Sequence, residues 1–568
     1  MSQNPTLTFP EFPYERPDLA FQEKAFRAVL AELKTAAGLN DAIAAVEQID
    51  VIRSGVDTAS NISYVRHSID TKDEFYKAEK EWFDEQLPAT EAWRTDYYRA
   101  LITSEHRAAL QAHFGDQLFK TAELSINTFK PEIVEGLQTE NKTYSKYMQM
   151  KGGAKIDLDG EDYNLSSITP VEQDNDRDRR KQASTAKWGW YAKNREEIED
   201  VYDELVKIRT EMATKLGYEN FTQLGYDRMN RTDYGPAEIA VFRNEVKKHI
   251  VPLAQELYKQ QTARIGVDRL HFYDTAFQFP DGNPKPQGEM ADTVDAARKL
   301  YDGLSKETGA FFRLLEDRQL MDLAAKDGKA TGGYCIYIND YGAPYIFSNF
   351  NGTSHDVDVL THEFGHAFQV YSSRFQKPME YNWPTFDAAE IHSMSMEFFA
   401  YPGVPDFFGP DAEKYYYSHL AGAIRFLPYG CAVDEFQHLV YENPTWSPAE
   451  RNAAWKKLEA EYLPHLDYSD MPHLNDGTFW QGQLHIFGMP FYYIDYCLAQ
   501  ICAFQFWLKD RKDHESAWAD YARLCTAGGS KSFLGLVELA NLENPFEPGV
   551  MEKITGVIKE QLRSLTVA

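Results

Sequence analysis

Hydrophobic residues recur mainly with helical spacing along this chain of 568 residues. Apolar positions three and four residues apart predict amphipathic helices. The stretches with this pattern are 21–48, 195–217, 236–262, 291–315, 414–440, 447–462, 513–525 and 549–564. Ser447 before Pro448 marks one helix start, because serine caps helices and proline fits their first turn. The pattern predicts a mostly α fold.

Two short stretches alternate apolar and polar residues instead, which is typical of strands. Residues 151–170 do so around Asp159-Gly160 and predict a small β-hairpin, and residues 332–350 predict a second one. Residues 264–290 are rich in Pro, Gly and Asp and predict a long surface loop. No Gly/Ser linker divides the chain, so we expect one continuous body with small inserted sheets.

The charge balance excludes several classes of protein. The chain has 59 Lys+Arg against 87 Asp+Glu, a net charge of -28, which disfavours binding to nucleic acid or to anionic membranes. With 43% hydrophobic residues the chain has ample core material, so general disorder is excluded. The five cysteines contain no CxxC pair and fit a reducing cytosol. Neither a signal peptide nor a membrane span is visible, so we expect a cytoplasmic protein.

The candidate chemistry lies in an HExxH pattern formed by His362, Glu363 and His366. Histidines four apart lie on one face of a helix, so both imidazoles can reach one Zn²⁺ at roughly 2.0–2.1 Å. Glu363 lies beside them, where its carboxylate can take a proton from a water that the zinc has made acidic. The sequence therefore suggests a hydrolytic zinc site.

Two solvated histidines on an exposed helix would give the same pattern. The apolar neighbours Phe364, Ala367 and Phe368 favour a buried helix instead, where paired histidines need a partner and a metal ion is a suitable one. Thr353 and Asp356 have the spacing of a capping box, which predicts that this helix begins near Thr353.

A catalytic zinc needs a third protein ligand. Glu390 follows His366 by 24 residues, after Asp387, which we expect to be the N-cap of a second helix. Glu390, Met394 and Glu397 would then share one face of that helix. Glu390 can be the third ligand or the capping-box partner of Asp387, and the preceding HExxH favours the ligand.

Two other zinc-peptidase patterns do not fit. The extended HExxHxxGxxH pattern requires glycine and histidine where this chain has Gln369 and Ser372. The thermolysin-like pattern requires an aspartate four residues after the glutamate ligand, where this chain has Met394.

Three segments together resemble the thimet oligopeptidase and oligoendopeptidase F family of zinc peptidases, in its bacterial oligoendopeptidase branch. These segments are 362–367, 390–397 and 485–496, within a resemblance that covers residues 330–500. The resemblance implies one Zn²⁺ per chain, with Glu363 as general base and Glu397 orienting a zinc histidine. The zinc ligands that it implies are His362, His366 and Glu390.

The resemblance also implies a helical fold closed around a deep channel, which admits short flexible peptides. Residues 1–190 would form part of the channel wall, and residues 191–568 would form the catalytic region. The segment 332–350 would offer a strand edge to a peptide backbone. The implied activity is that of a zinc-dependent oligoendopeptidase. The sequence leaves the oligomeric state open between a monomer and a small homo-oligomer. The alternatives are a peptidase that releases C-terminal di- or tripeptides and a non-catalytic zinc-containing peptide-binding protein.

The tract from His485 to Tyr496 allows two interpretations. Tyrosines at helical spacing usually belong to a core, and a single histidine is usually a structural one. Peptide hydrolysis, however, builds an oxyanion that needs neutral hydrogen-bond donors. The resembling family carries a histidine followed by tyrosines in this role, which favours His485 and Tyr496, and then Tyr492 and Tyr493.

Overall fold

The computed structural model describes residues 6–565, and helices make up most of it. The helices of the first part are α1 Leu19–Lys34, α2 Leu39–Ile69, α3 Glu74–Thr103, α4 Arg107–Phe114, α5 Asp116–Asn127, α6 Val134–Gly152 and α7 Arg177–Lys193. Those that follow are α8 Arg195–Leu216, α9 Phe221–Arg228, α10 Pro236–Glu245, α11 Val251–Arg264, α12 Met290–Leu304, α13 Lys306–Asp317, α14 His355–Ser373, α15 Phe386–Phe399, α16 Val404–Phe408, α17 Ala412–Glu442, α18 Pro448–Tyr462, α19 Pro472–Asn475, α20 Leu484–Gly488, α21 Tyr493–Asp510, α22 His514–Ala527, α23 Phe533–Leu539 and α24 Val550–Ser564.

The strands are short, and the mostly α fold class is confirmed. They are β1 Ile156–Leu158, β2 Glu161–Tyr163, β3 Met321–Ala324, β4 Tyr334–Ile338 and β5 Ala343–Phe350. In residues 6–565, no helix has both the length and the apolar composition needed to cross a bilayer.

Most of the periodic stretches form helices as predicted, and three of them are interrupted. Residues 21–48 divide into α1 and α2 before Gly38, and residues 291–315 divide at Ser305, whose side chain caps α13. A π-helical turn, Val246–Ile250, separates α10 from α11 within residues 236–262. Ser447 caps α18 in a capping box with Glu450, so that predicted helix start is confirmed.

Both predicted hairpins are present. Strands β1 and β2 pair antiparallel around Asp159 and Gly160, which adopt φ values of 58° and 83° in the left-handed region. Strands β4 and β5 also pair antiparallel, and β3, which the pattern did not predict, runs parallel to β5. The order β3-β5-β4 leaves β4 at one edge of the sheet. Residues 265–289 form the predicted loop, with one 3₁₀ turn, Phe272–Asp274.

Buried apolar side chains form a main core, a smaller N-terminal core and a third, small cluster beside β1 and α7. The small core joins helices α1 to α5, and Tyr381 from the later part of the chain enters it. N-terminal residues such as Ile62 and Tyr147 belong instead to the main core. Since both cores draw on both parts of the chain, the proposed division at residue 190 stays a prediction.

Helices α14 and α15 pack closely against each other at Gly365, inside the HExxH segment. A Cβ atom on Gly365 would lie 2.7 Å from the carbonyl oxygen of His392 and 2.7 Å from the Cα of Ser393. Side chains of ordinary size cannot approach a neighbouring backbone so closely. Because Gly365 has no side chain, α14 and α15 can approach each other to this distance.

The starts of these two helices differ from the prediction. α14 begins at His355, and the carboxylate of Asp356 accepts hydrogen bonds from the backbone N–H groups of Asn351 and Gly352 instead of forming a box with Thr353. These hydrogen bonds connect the loop after β5 to the first turn of α14.

Likewise, α15 begins at Phe386 with Thr385 as its N-cap, so Asp387 lies inside the first turn. Its carboxylate accepts hydrogen bonds from the hydroxyl groups of Tyr234 and Thr385. The carboxylate of Asp387 is thus bound by the distant Tyr234 and by the N-cap residue Thr385, and Asp387 does not have its predicted capping role.

Gly365→Ala tests the close approach of α14 and α15. The added methyl group must push backbone away, and we expect a loss of about 1–3 kcal/mol in the free energy of unfolding, as in other overpacked cores. Thermal and denaturant unfolding would measure it. Gly556→Ala in α24 is the matched control, because nothing lies within 4 Å of its added Cβ, and it should leave stability unchanged or improve it. Equal stability of both variants would contradict the packing argument.

Candidate active site

Three side chains from α14 and α15 converge on one point. Oε2 of Glu390 lies 3.1 Å from Nε2 of His362 and 3.4 Å from Nε2 of His366. At zinc–ligand distances of about 2.0–2.1 Å, tetrahedral geometry separates two ligand atoms by roughly 3.3–3.4 Å. One donor atom from each residue lies within 4.8 Å of the other two. The three side chains therefore fit a single bound metal ion.

The hydrogen bonding of His362 supports this fit. Its Nδ1 lies 2.7 Å from Oε1 of Glu397, a carboxylate oxygen that can only accept a proton. Metal ligation requires the neutral imidazole, which carries one N–H; with that proton on Nδ1, the Nε2 of His362 directs a lone pair towards the oxygen of Glu390. Two facing lone pairs are stabilised by a cation between them.

A chain of hydrogen bonds continues outward from Glu397. Its Oε2 lies 2.8 Å from Nε2 of His419, and the Nδ1 of His419 lies 2.9 Å from the hydroxyl of Tyr401. Burial alone would raise the pKa of Glu397, but its bonds to His362 and His419 lower that pKa to about 2. His419 and Tyr401 were not predicted as site residues, because neither lies in a sequence motif. His419 comes from α17, which only the fold brings here, and Tyr401 lies in the 3₁₀ turn after α15.

Glu390 is held from two further directions. The hydroxyl of Tyr492 donates a hydrogen bond to Oε1, and the hydroxyl of Ser393 donates to Oε2 at 2.8 Å. Burial would raise the pKa of Glu390, yet the imidazoles of His366 and His362 hold it well below its usual range. The carboxylate is therefore ionised, as ligation of a metal requires.

Glu363 faces the same site from α14. Its side chain is 7% exposed, and its Oε2 has no hydrogen-bond partner among residues 6–565. Burial raises the pKa of this carboxyl group. Gly333, just before β4, lies close by, since a Cβ there would be 3.7 Å from Oε1 of Glu363. An ionisable group with a free oxygen in a cavity wall can accept a proton.

A cavity of about 640 Å³ opens at this site. Its walls come from the segment before β4, from α14, α15, α17 and α21, and from His485. Tyr493 and Tyr496 line the cavity, whereas Tyr492 directs its hydroxyl to Glu390. The structure therefore brings all four residues of the predicted His/Tyr tract near the site and gives Tyr492 a contact different from the others.

The turn before α21 orients these tyrosines. Phe491 adopts a φ of 68°, in the left-handed region that is strained for an aromatic residue. Its N–H donates to Oε1 of Gln437 at 3.0 Å, and its carbonyl accepts a bond from Arg231 at 2.5 Å. The ring of His485 then lies 4.9 Å from that of Tyr493, between centroids. Buried partners thus hold the strained turn in place.

Two family models match the chain. The Peptidase M3 N-terminal domain matches residues 9–129, and Peptidase family M3 matches residues 171–305 and 307–555. Oligopeptidase PepF of Bacillus subtilis (strain 168) is 28% identical over 162 residues, which are 28% of this chain and 23% of that protein. Group B oligopeptidase PepB of Streptococcus agalactiae serotype III (strain NEM316) is 24% identical over 245 residues, 42% and 39% of the two chains. The chain thus matches less than half the length of each curated relative.

Solved structures match over nearly the whole length. PZ peptidase A, solved with an inhibitor, is 50% identical with a TM-score of 0.96, covering 98% of this chain and 99% of that one. A candidate oligoendopeptidase F from Bacillus anthracis str. Ames is 48% identical with a TM-score of 0.92, covering 99% of both chains. The fold described above is therefore shared with these proteins.

Tyr492→Phe tests whether this tyrosine holds Glu390. The variant keeps the ring and removes the hydrogen bond to Oε1, so we expect the affinity for Zn²⁺ to fall about 10–100-fold, as for other groups that orient a metal ligand. Competition with a chromogenic chelator would measure it. Tyr493→Phe is the matched control, since its hydroxyl does not contact Glu390, and it should bind Zn²⁺ as the wild type does. Unchanged affinity in Tyr492→Phe would mean that Glu390 is held without it.

Proposed function

The chain belongs to peptidase family M3, and from this premise we propose that it is a zinc-dependent oligoendopeptidase, which hydrolyses internal bonds of short unstructured peptides. The family membership confirms the resemblance carried by residues 362–367, 390–397 and 485–496. One observation carries the proposal: the donor atoms of His362, His366 and Glu390 converge beside the free carboxylate of Glu363.

We propose that His362, His366 and Glu390 hold one Zn²⁺ per chain. Bound there, the zinc would supply Lewis-acid chemistry, polarising the scissile carbonyl and acidifying a water. Glu397 keeps the Nδ1 proton of His362 in place, so that Nε2 stays free for ligation. His419 and Tyr401 in turn fix the orientation of Glu397.

Glu363 is the proposed general base. Its free oxygen takes the proton of the attacking water and then transfers it to the leaving amine. The raised pKa that burial gives this carboxyl group suits both steps, because a stronger base accepts the proton more readily and the pKa lies nearer to that of the reacting groups.

His485 and Tyr496 are the proposed donors to the oxyanion, since both line the cavity and neither contacts the proposed metal ligands by a hydrogen bond. Tyr493 lines the cavity too and is the next candidate. Tyr492 is assigned to Glu390 instead, because its hydroxyl already donates to that carboxylate.

The shape of the site supports an extended peptide as substrate. Strand β4 is an edge strand, and Gly333 before it lines the cavity beside Glu363. A peptide that pairs with this edge would lay its backbone along the catalytic carboxylate. Such pairing needs a substrate in an extended, unfolded conformation. A cavity between helices also favours such a substrate over a folded protein.

Release of C-terminal di- or tripeptides is the weaker alternative. That activity needs a cation to hold the carboxylate of the substrate, and the lining of the cavity, among the described residues, includes no lysine or arginine. A non-catalytic peptide-binding role would leave the buried, unpartnered Glu363 without a purpose, and burying such a group is costly.

We further propose that the protein acts in the cytoplasm. All five cysteines are free, and four of them are buried. This suits a reducing compartment. Whether the protein is a monomer or a small homo-oligomer stays a prediction, which light scattering of the purified protein would decide.

Glu363→Gln tests the general base. The amide keeps the size of the side chain but accepts protons poorly, so turnover of a quenched internal-cleavage peptide should fall by about 10²–10⁴-fold with Zn²⁺ still bound. The same peptide with a blocked C-terminus should be cleaved by the wild type, as expected of an endopeptidase. Near-normal turnover in a metal-loaded Glu363→Gln variant would refute the mechanism.

Tyr496→Phe tests the oxyanion donor. We expect kcat to fall about 10²–10³-fold with little change in KM, because the hydrogen bond forms mainly in the transition state. Tyr493→Phe, one position from the N-cap of the same helix and facing the same cavity, is the matched comparison. If Tyr493→Phe loses kcat and Tyr496→Phe does not, the two roles are exchanged.

A further inference from the structure

Gln483 forms a hydrogen bond with Nδ1 of His485, the ring nitrogen nearer to the backbone. Nε2 of Gln483 lies 2.7 Å from Nδ1 of His485, and Oε1 of Gln483 accepts a hydrogen bond from the hydroxyl of Tyr429 at 2.8 Å. Gln483 is part of no motif that the sequence analysis identified. These three side chains form a linear hydrogen-bonded series that ends at the cavity.

The direction of this series fixes the proton on His485. An amide donates only through its nitrogen and accepts only through its oxygen. The nitrogen of Gln483 is the atom that faces Nδ1 of His485, so it donates there, and the hydroxyl of Tyr429 donates to Oε1 on the other side of the amide. A neutral imidazole that accepts at Nδ1 must carry its proton on Nε2.

The segment that carries Gln483 is held firmly by the N-terminal helix α6. The hydroxyl of Tyr147 donates to the carbonyl of Gln481 at 2.8 Å, and Nζ of Lys151 donates to the carbonyl of Gly482 at 3.0 Å. The ring of Tyr147 also stacks on Phe487 at 3.9 Å between centroids. Gln483 therefore approaches His485 from a fixed backbone.

We propose that Gln483 is a positioning residue that keeps the proton of His485 on Nε2, so that this nitrogen serves as a hydrogen-bond donor in the cavity. The inference rests on the proposed function, in which His485 donates to the oxyanion. The opposite tautomer would present a lone pair to a developing negative charge and would oppose catalysis.

The charge state of His485 agrees with this role. Burial lowers its pKa to about 4, so the ring is neutral near neutral pH and has one proton to place. The ionisable groups around it are Glu390 on α15, Lys151 on α6, and Tyr492, Tyr493 and Tyr496 at the start of α21. None of these has a hydrogen bond to Nδ1, which Gln483 occupies.

Gln483→Glu tests the proposal by reversing the direction of the bond. A carboxylate can only accept, so it draws the proton of neutral His485 to Nδ1 or holds the ring as an imidazolium. In this variant the carboxylate raises the pKa of His485. Since the imidazolium still has Nε2–H, we expect activity at low pH that is lost as the pH rises through this raised pKa. At pH 8, kcat should be about 10- to 100-fold below the wild type with KM little changed.

The tautomer can be observed without turnover, from the ¹⁵N shifts of histidine-labelled protein, with His485 assigned by comparison with His485→Gln. We expect Nε2–H in the wild type and Nδ1–H or imidazolium in Gln483→Glu. Gln500→Glu is the matched control, because it adds the same charge to the same cavity from α21 and should leave the tautomer of His485 unchanged. Gln483→Met, which removes the bond without adding charge, should give a mixture of tautomers and a smaller loss of kcat.

The outcomes distinguish the oxyanion role of His485 from the positioning role of Gln483. If His485→Gln keeps wild-type kcat, the oxyanion role of His485 fails, whatever Gln483 does. If His485→Gln loses kcat but Gln483→Glu keeps the wild-type tautomer and has no new pH dependence, the role of Gln483 is refuted. Should Gln483→Glu not fold, the tautomer and kcat of Gln483→Met decide alone, and wild-type values for both would refute the proposal.

Discussion

The site depends on the contact between α14 and α15 at Gly365. The two histidines are fixed relative to each other by one turn of α14, but Glu390 reaches them only because α15 packs directly against backbone at that glycine. A separation larger by one methyl group would exceed the few tenths of an ångström that a metal site tolerates. Gly365 therefore determines the position of Glu390 relative to the histidines, whereas the three polar residues of the HExxH pattern supply the reactive groups.

Buried charge is the second constraint, because each ionised side chain in this interior needs compensation. Glu390 and Glu397 lie on the same helix, and each is surrounded by donors: Tyr492 and Ser393 for the first, His362 and His419 for the second. Of the three glutamates Glu363, Glu390 and Glu397, only Glu363 has a buried oxygen without a hydrogen-bond partner among the described residues. That contrast separates the carboxylates with structural partners from the one that is free to exchange a proton.

The two parts of the chain meet at the cavity rather than at a simple boundary. Helix α6 holds the backbone just before His485, because Tyr147 and Lys151 donate hydrogen bonds to the carbonyls of Gln481 and Gly482. The strained Phe491 is held by Gln437 and Arg231, from α17 and the turn after α9. A displacement of the N-terminal helices would therefore move His485 relative to α14, which links the position of that region to the chemistry.

The sequence by itself determined what depends on local spacing: the helices, both hairpins, the pairing of His362 with His366, and Glu390 as a candidate partner. It misplaced the starts of α14 and α15, because Asp356 accepts hydrogen bonds from the loop just before its helix and Asp387 accepts one from the distant Tyr234, so neither has its predicted capping role. Only the tertiary structure identified His419 and Gln483 and distinguished Tyr492 from Tyr496. His419 and Tyr492 act through partners distant in sequence, and Gln483, although only two residues from His485, also contacts the distant Tyr429. No local pattern records such contacts, since they exist only once the helices have packed.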